Sequence, residues 1–184
     1  MTMAMTNSNS NVKTITLTAM FAALVAVATA FIKIPTALGY YHAGDSMVYL
    51  AACILPGPYG IIASAIGGGF ADLISGFPQW ILPTVIIKSL NSMPFVILKH
   101  FLRKKDKDNR IINTGAIIML IPTSMVTVFG YFIANLLLFD LGGAVAELAT
   151  WYVQPGLAAV VFIAAGLGLD TIKFKSNVFP SLMR

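Results

Sequence analysis

Asp72 lies in GGGFADLISGFPQW (residues 67–80), a carboxylate inside an apolar run framed by glycines, a proline and a tryptophan. In such surroundings an ionisable side chain needs a counter-charge, a hydrogen-bonding partner or a wet cavity. Asp45 and Lys88 supply further charge; Asn91, Asn135 and Gln154 supply amides; Tyr41, His42, Trp80 and Trp151 supply rings, with Tyr40, Gln79 and Tyr152 close to them in sequence. Stacking surfaces and a few directional hydrogen bonds in an apolar pocket are what recognition of a small planar ring compound requires. The same residues also admit purely structural roles. Asp72 and Lys88 can pair to lock two helices, Asp45 can cap a helix, and the tryptophans and tyrosines can form an interfacial belt.

Catalysis is not indicated. His42 and His100 fall on opposite faces of the topology argued below, and no nucleophile has a base beside it. The lone Cys53 has no partner for an intrachain disulfide and reads as packing. Gly67–Gly69 lack the Lys-Ser/Thr that completes a phosphate-binding loop, so ATP hydrolysis is not assigned to this chain. No metal, cofactor or nucleic-acid partner is expected.

The elements that must position these residues follow from the solvent. Hydrophobic residues make up 58% of the 184, charged residues 10%, and the mean hydropathy is +0.83. A soluble domain carries roughly a quarter charged residues, so this composition belongs in a bilayer. Six apolar segments, about 13–33, 46–55, 58–76, 80–98, 111–138 and 149–170, predict an all-α membrane protein, a six-transmembrane-helix bundle. The second is short for a span. Pro56-Gly57-Pro58 marks the turn that follows it. The fifth is long, with Pro122 expected near its start, where proline is better tolerated.

Ten of the twelve lysines and arginines lie at the start of segment one, in loop 99–110, or after segment six. Positively charged loops are retained in the cytoplasm, so both termini are predicted there and loops 34–45, 77–79 and 139–148 outside. Residues 1–12 read as a short disordered tail, 13–175 as one transmembrane domain and 176–184 as a cytoplasmic tail. A cleaved signal peptide is the competing reading of the N-terminus, but it would leave five helices and split the basic ends across the membrane. Ala19, Ala22, Ala23, Ala26 and Ala30 form overlapping small-xxx-small patterns, suited either to docking or to internal packing.

Residues 39–92 carry Gly44-Asp45, the Pro-Gly-Pro turn, a glycine-rich helix ending Ala71-Asp72-Leu73, then Gly76-Phe77-Pro78, Pro83-Thr84 and Ile87-Lys88. In order and spacing this resembles the substrate-binding S components of energy-coupling factor (ECF) vitamin transporters, and the size and helix count extend the likeness over nearly the whole chain. The resemblance implies a multi-pass protein of a prokaryotic plasma membrane that captures a vitamin or precursor outside. It also implies docking on a transmembrane coupling subunit and two cytoplasmic ATPases, with Ala19 and Ala23 on the docking face, loop 34–45 covering the ligand, and the S component toppling to release it. The motif style and short loops favour hydroxymethylpyrimidine, then pyridoxine, then riboflavin, held by Tyr41, His42, Asp45, Asp72, Trp80, Lys88, Asn91, Asn135, Trp151 and Gln154. A structural membrane protein without ligand, or a stand-alone secondary transporter, is the alternative, although no repeat of interrupted helices supports the latter.

Overall fold

The computed structural model describes residues 2–35, 40–104, 108–148 and 152–179. Helix α1 (Thr2–Phe31) leads into a hairpin of β1 (Lys33–Pro35) and β2 (Tyr40–His42). Then come α2 (Gly44–Ile54), α3 (Tyr59–Ser75), a 3-10 turn (Pro78–Trp80), α4 (Ile81–Lys104), α5 (Thr114–Leu138), α6 (Leu141–Leu148), α7 (Val153–Thr171) and α8 (Phe174–Val178). The strands are antiparallel, with Ile34 opposite Tyr41. The hairpin inside loop 34–45 and the short helices α6 and α8 are additions to the predicted pattern. Helix α1 begins at Thr2, upstream of the expected start at 13.

Four stretches, Asn11–Phe31, Pro78–Arg103, Thr114–Leu138 and Val153–Thr171, are long and apolar enough to cross a membrane, while Gly44–Ile54 and Tyr59–Ser75 are apolar but shorter. The outward faces carry Leu82, Ile121, Phe129, Leu137, Val160 and Leu167, all exposed. So much apolar surface suits hydrocarbon and not water. The chain is an all-α, multi-pass membrane protein.

Helix α2 explains why a short apolar segment belongs in such a bundle. Its 11 residues rise about 16 Å, roughly half the hydrocarbon thickness, yet every one except Met47 is buried. Tyr49 packs on Phe95 of α4 at 5.1 Å and on Phe162 of α7 at 5.7 Å between ring centroids. A helix ending at membrane depth leaves its last carbonyls without partners, which is tolerable only where protein satisfies them. Lys99 of α4 does this, donating from Nζ to Ala52 O at 2.6 Å and to Leu55 O. Gly57, at φ +50°, then turns the chain into α3.

The three consecutive glycines of α3 let it wedge between two neighbours. A Cβ on Gly67 would strike Ala22 O of α1 and come within 2.7 Å of Val25; one on Gly69 would lie 2.8 Å from Val85 of α4. Pro122 lies inside α5, about two turns from its start at Thr114, and not near its beginning as expected. The basic ends meet at one pole. There Lys175 pairs with Asp108, and the Asp170 carboxylate accepts from the backbone N–H groups of Ile111 and Ile112 at 2.7 and 2.9 Å. Asp45, Asp72, Lys88 and Gln154 gather near the opposite pole.

Candidate binding site

A cavity opens at that opposite pole, between the hairpin and the ends of α3, α4, α5, α6 and α7. With its mouth it spans about 720 Å³, and among the described residues it is lined by Tyr40, Tyr41, His42, Asp72, Trp80, Thr84, Thr127, Val128, Tyr131, Phe132, Asn135, Ala144, Leu148 and Gln154. Trp80 lies 5.9 Å from Tyr131 and 6.0 Å from Phe139 between ring centroids, forming an aromatic wall.

Asp72 stands in the last turn of α3, whose left-handed cap at Gly76 turns the chain towards the 3-10 segment. Its Oδ1 accepts from the Tyr40 hydroxyl at 3.1 Å, tying the hairpin to α3. Burial pushes the Tyr40 phenol up to about 12, so it keeps its proton for that bond. Asp72 Oδ2 has no hydrogen-bond partner among the described residues, nor do Asn135 Oδ1 and His42 Nδ1. Asp72 and Asn135 therefore present acceptors to the cavity, and buried acceptors without donors are costly. A ligand with ring N–H, amine or hydroxyl donors would satisfy them.

Beneath the cavity lies a charged layer. Lys88 Nζ donates to Asp45 Oδ1 at 2.6 Å, with both side chains fully buried, and Gln154 Nε2 donates to Asp45 Oδ2 at 2.9 Å. In place of the Asp72–Lys88 pair that the sequence admits, the structure pairs Asp45 with Lys88. The physical reason is Gly68, where a Cβ would lie 2.9 Å from Lys88 Cδ; the bare backbone leaves a passage for the lysine stem across α3 to α2. Asp45 makes no capping bond, since the helix opens at Ala43 without one and both carboxylate oxygens serve Lys88 and Gln154.

Of the ten predicted ligand contacts, Tyr41, His42, Asp72, Trp80, Asn135 and Gln154 line the cavity. Asp45, Lys88 and Asn91 lie behind its wall: Asn91 donates from Nδ2 to Thr127 Oγ1 at 2.8 Å, and Thr127 is the lining residue. Trp151 lies outside the described residues. Thr84, Thr127, Tyr131 and Phe132 were missed, yet a signal existed. Trp80 at the end of the 3-10 turn and Thr84 and Lys88 of α4 recur every four residues, as do Thr127, Tyr131 and Asn135 on α5, giving each helix one polar face.

His42 is buried, and burial together with the nearby Lys88 charge pulls its imidazole down to about 3. The unfolded chain therefore binds this proton at a higher pH than the folded one, so stability is present above pH 6.5 and is lost as pH falls towards 3. The loss expected between pH 7 and pH 5 is about 2 kcal/mol. Thermal unfolding in detergent across this range checks it, and His42→Gln is expected to flatten the dependence.

On another side of the bundle, α1 and α3 leave an apolar groove lined by Ala19, Ala22, Ala23, Ala26, Ile66, Gly67 and Phe70 among others. Ala19 and Ala23 are exposed, whereas Ala22 and Ala26 are buried against the bundle.

An aromatic-walled, acceptor-lined cavity near one pole of a membrane bundle defines a membrane-embedded binder of small molecules. The sequence as a whole places it more narrowly, for residues 9–172 match the family model of the ECF-type riboflavin transporter S component. The chain belongs to that family, and is a substrate-specific subunit of an ECF transporter, not an enzyme. Its family implies a vitamin-type substrate and an energising module as partner. No curated protein matches the chain in sequence.

Proposed function

We propose that the chain captures a flavin-like vitamin, riboflavin in the first place, in the cavity beside Asp72, and hands it to the cytoplasm after docking on its energising module. The observation that carries this reading is Asp72 itself, a carboxylate with one oxygen free at an aromatic-walled cavity. A tricyclic ring has faces for Trp80, Tyr131 and Phe132 and a ring N–H for an acceptor; a polyol tail offers hydroxyl donors to Asn135 and Gln154. The family description also favours riboflavin, ahead of hydroxymethylpyrimidine and pyridoxine, which the sequence alone ranks first and second.

On this reading the chain makes six spans, with α2 and α3 shielded by their neighbours, both termini cytoplasmic, in the plasma membrane of a prokaryote. The charge bias of the loops supports that orientation. The hairpin covers the ligand, the coupling subunit sits in the α1–α3 groove over Ala19 and Ala23, and two cytoplasmic ATPases supply the energy.

Titration of purified protein into riboflavin, read by flavin fluorescence, tests the substrate. Saturable one-to-one quenching that excess hydroxymethylpyrimidine or pyridoxine fails to reverse is expected; displacement by either at lower concentration would transfer the assignment to it. Ala23→Trp is expected to abolish co-purification with the energising module while leaving vitamin binding within about twofold, since the groove and the cavity share no lining residue.

A further inference from the structure

We infer that the cavity rejects the phosphate esters of the vitamin it accepts, and that Asp72 is the residue that discriminates. The inference rests on the vitamin-binding reading above and extends it to the charge of the ligand.

Asp72 is the one charged side chain among the described residues lining the cavity. Its Oδ2 has no hydrogen-bond partner there. The nearest buried cation, Lys88, is fully enclosed, committed to Asp45 at 2.6 Å and not a lining residue, so its ammonium makes no direct contact with an incoming anion. His42, held at about 3, is neutral at physiological pH.

The loops at this pole repeat the bias in sequence: 34–45, 77–79 and 139–152 contain Asp45, Asp140 and Glu147 and no lysine or arginine. Lys33 borders the first of these. Its ammonium is placed 4.6 Å above the Tyr40 ring, on an exposed strand, and it is not a lining residue. A phosphate monoester carries about −1.5 to −2 charges at neutral pH and three strong acceptor oxygens. In this cavity it would meet a carboxylate where it needs a cation. Such a like-charge contact is how a site excludes a close analogue.

The test compares equilibrium binding of each parent with its ester: riboflavin with flavin mononucleotide, pyridoxine with pyridoxine 5′-phosphate, and hydroxymethylpyrimidine with its phosphate. Whichever parent binds, its ester is expected to bind about a hundredfold more weakly, and Asp72→Asn to shrink that ratio about tenfold. An ester bound within about threefold of its parent by the wild-type protein would overturn the inference without help from any variant. A ratio unchanged in Asp72→Asn would remove Asp72 as its cause. Failure of every parent to bind would instead remove the transport reading, and this inference with it.

Discussion

Lys88→Met is expected to destabilise the protein more than any substitution on the cavity wall. Both partners of the Lys88–Asp45 pair are fully buried, and the pair is 2.6 Å long. Losing the ammonium leaves Asp45 with the Gln154 amide as its remaining side-chain hydrogen bond. Stranding one member of a buried pair costs about 3–5 kcal/mol, whereas replacing both with apolar groups of similar shape is often neutral. Thermal unfolding in detergent should therefore show a large drop for Lys88→Met and for Asp45→Leu taken singly, and a much smaller drop for the double variant. Because Asp72 is not the partner, Asp72→Leu combined with Lys88→Met is expected to give no such recovery. Strict additivity of Lys88→Met and Asp45→Leu would mean that the two charges do not depend on each other.

Asp72→Ala is expected to weaken vitamin binding about tenfold to a hundredfold while lowering stability far less than Lys88→Met. Asp72 gives up no ion pair, only the 3.1 Å bond from Tyr40 and its interaction with the Thr84 hydroxyl, so no buried charge is left unpaired. A hydrogen bond to a charged group contributes about 1.5–3 kcal/mol, which sets the size of the affinity loss if ligand donors reach Oδ2. Tyr40→Phe separates the two bonds of this carboxylate: it frees Oδ1 from the hairpin without touching Oδ2, and should weaken binding less than Asp72→Ala. Equal losses in the two variants would show that hairpin closure, and not a direct contact with Asp72, accounts for the effect.

The membrane setting was legible because composition and charge placement depend on solvent, and solvent acts on every residue. The gathering of polar side chains at the pole opposite the basic loop followed from the same reasoning, and Asp72, Trp80, Asn135 and Gln154 line one cavity there. Pairing was not legible. Asp72 and Lys88 looked like partners because adjacent helices carry them, but which carboxylate a four-carbon stem reaches depends on the passage beside Gly68, a packing detail invisible in one dimension. The hairpin escaped notice because Lys33–Pro35 and Tyr40–His42 are three residues each, too short for a period to register. Thr127 and Tyr131 were overlooked inside a strongly apolar run, where hydropathy averages out a polar face that spacing by four would have revealed.

Native mass spectrometry of the chain purified without added vitamin, run beside Asp72→Ala, tests the central claim most directly. A single small planar vitamin bound one to one in the wild-type protein, and absent or much reduced in the variant, is the predicted result. An empty wild-type protein that no B-vitamin or precursor stabilises against heat would contradict it, and would leave Asp72, Asp45 and Lys88 as groups that only hold helices together.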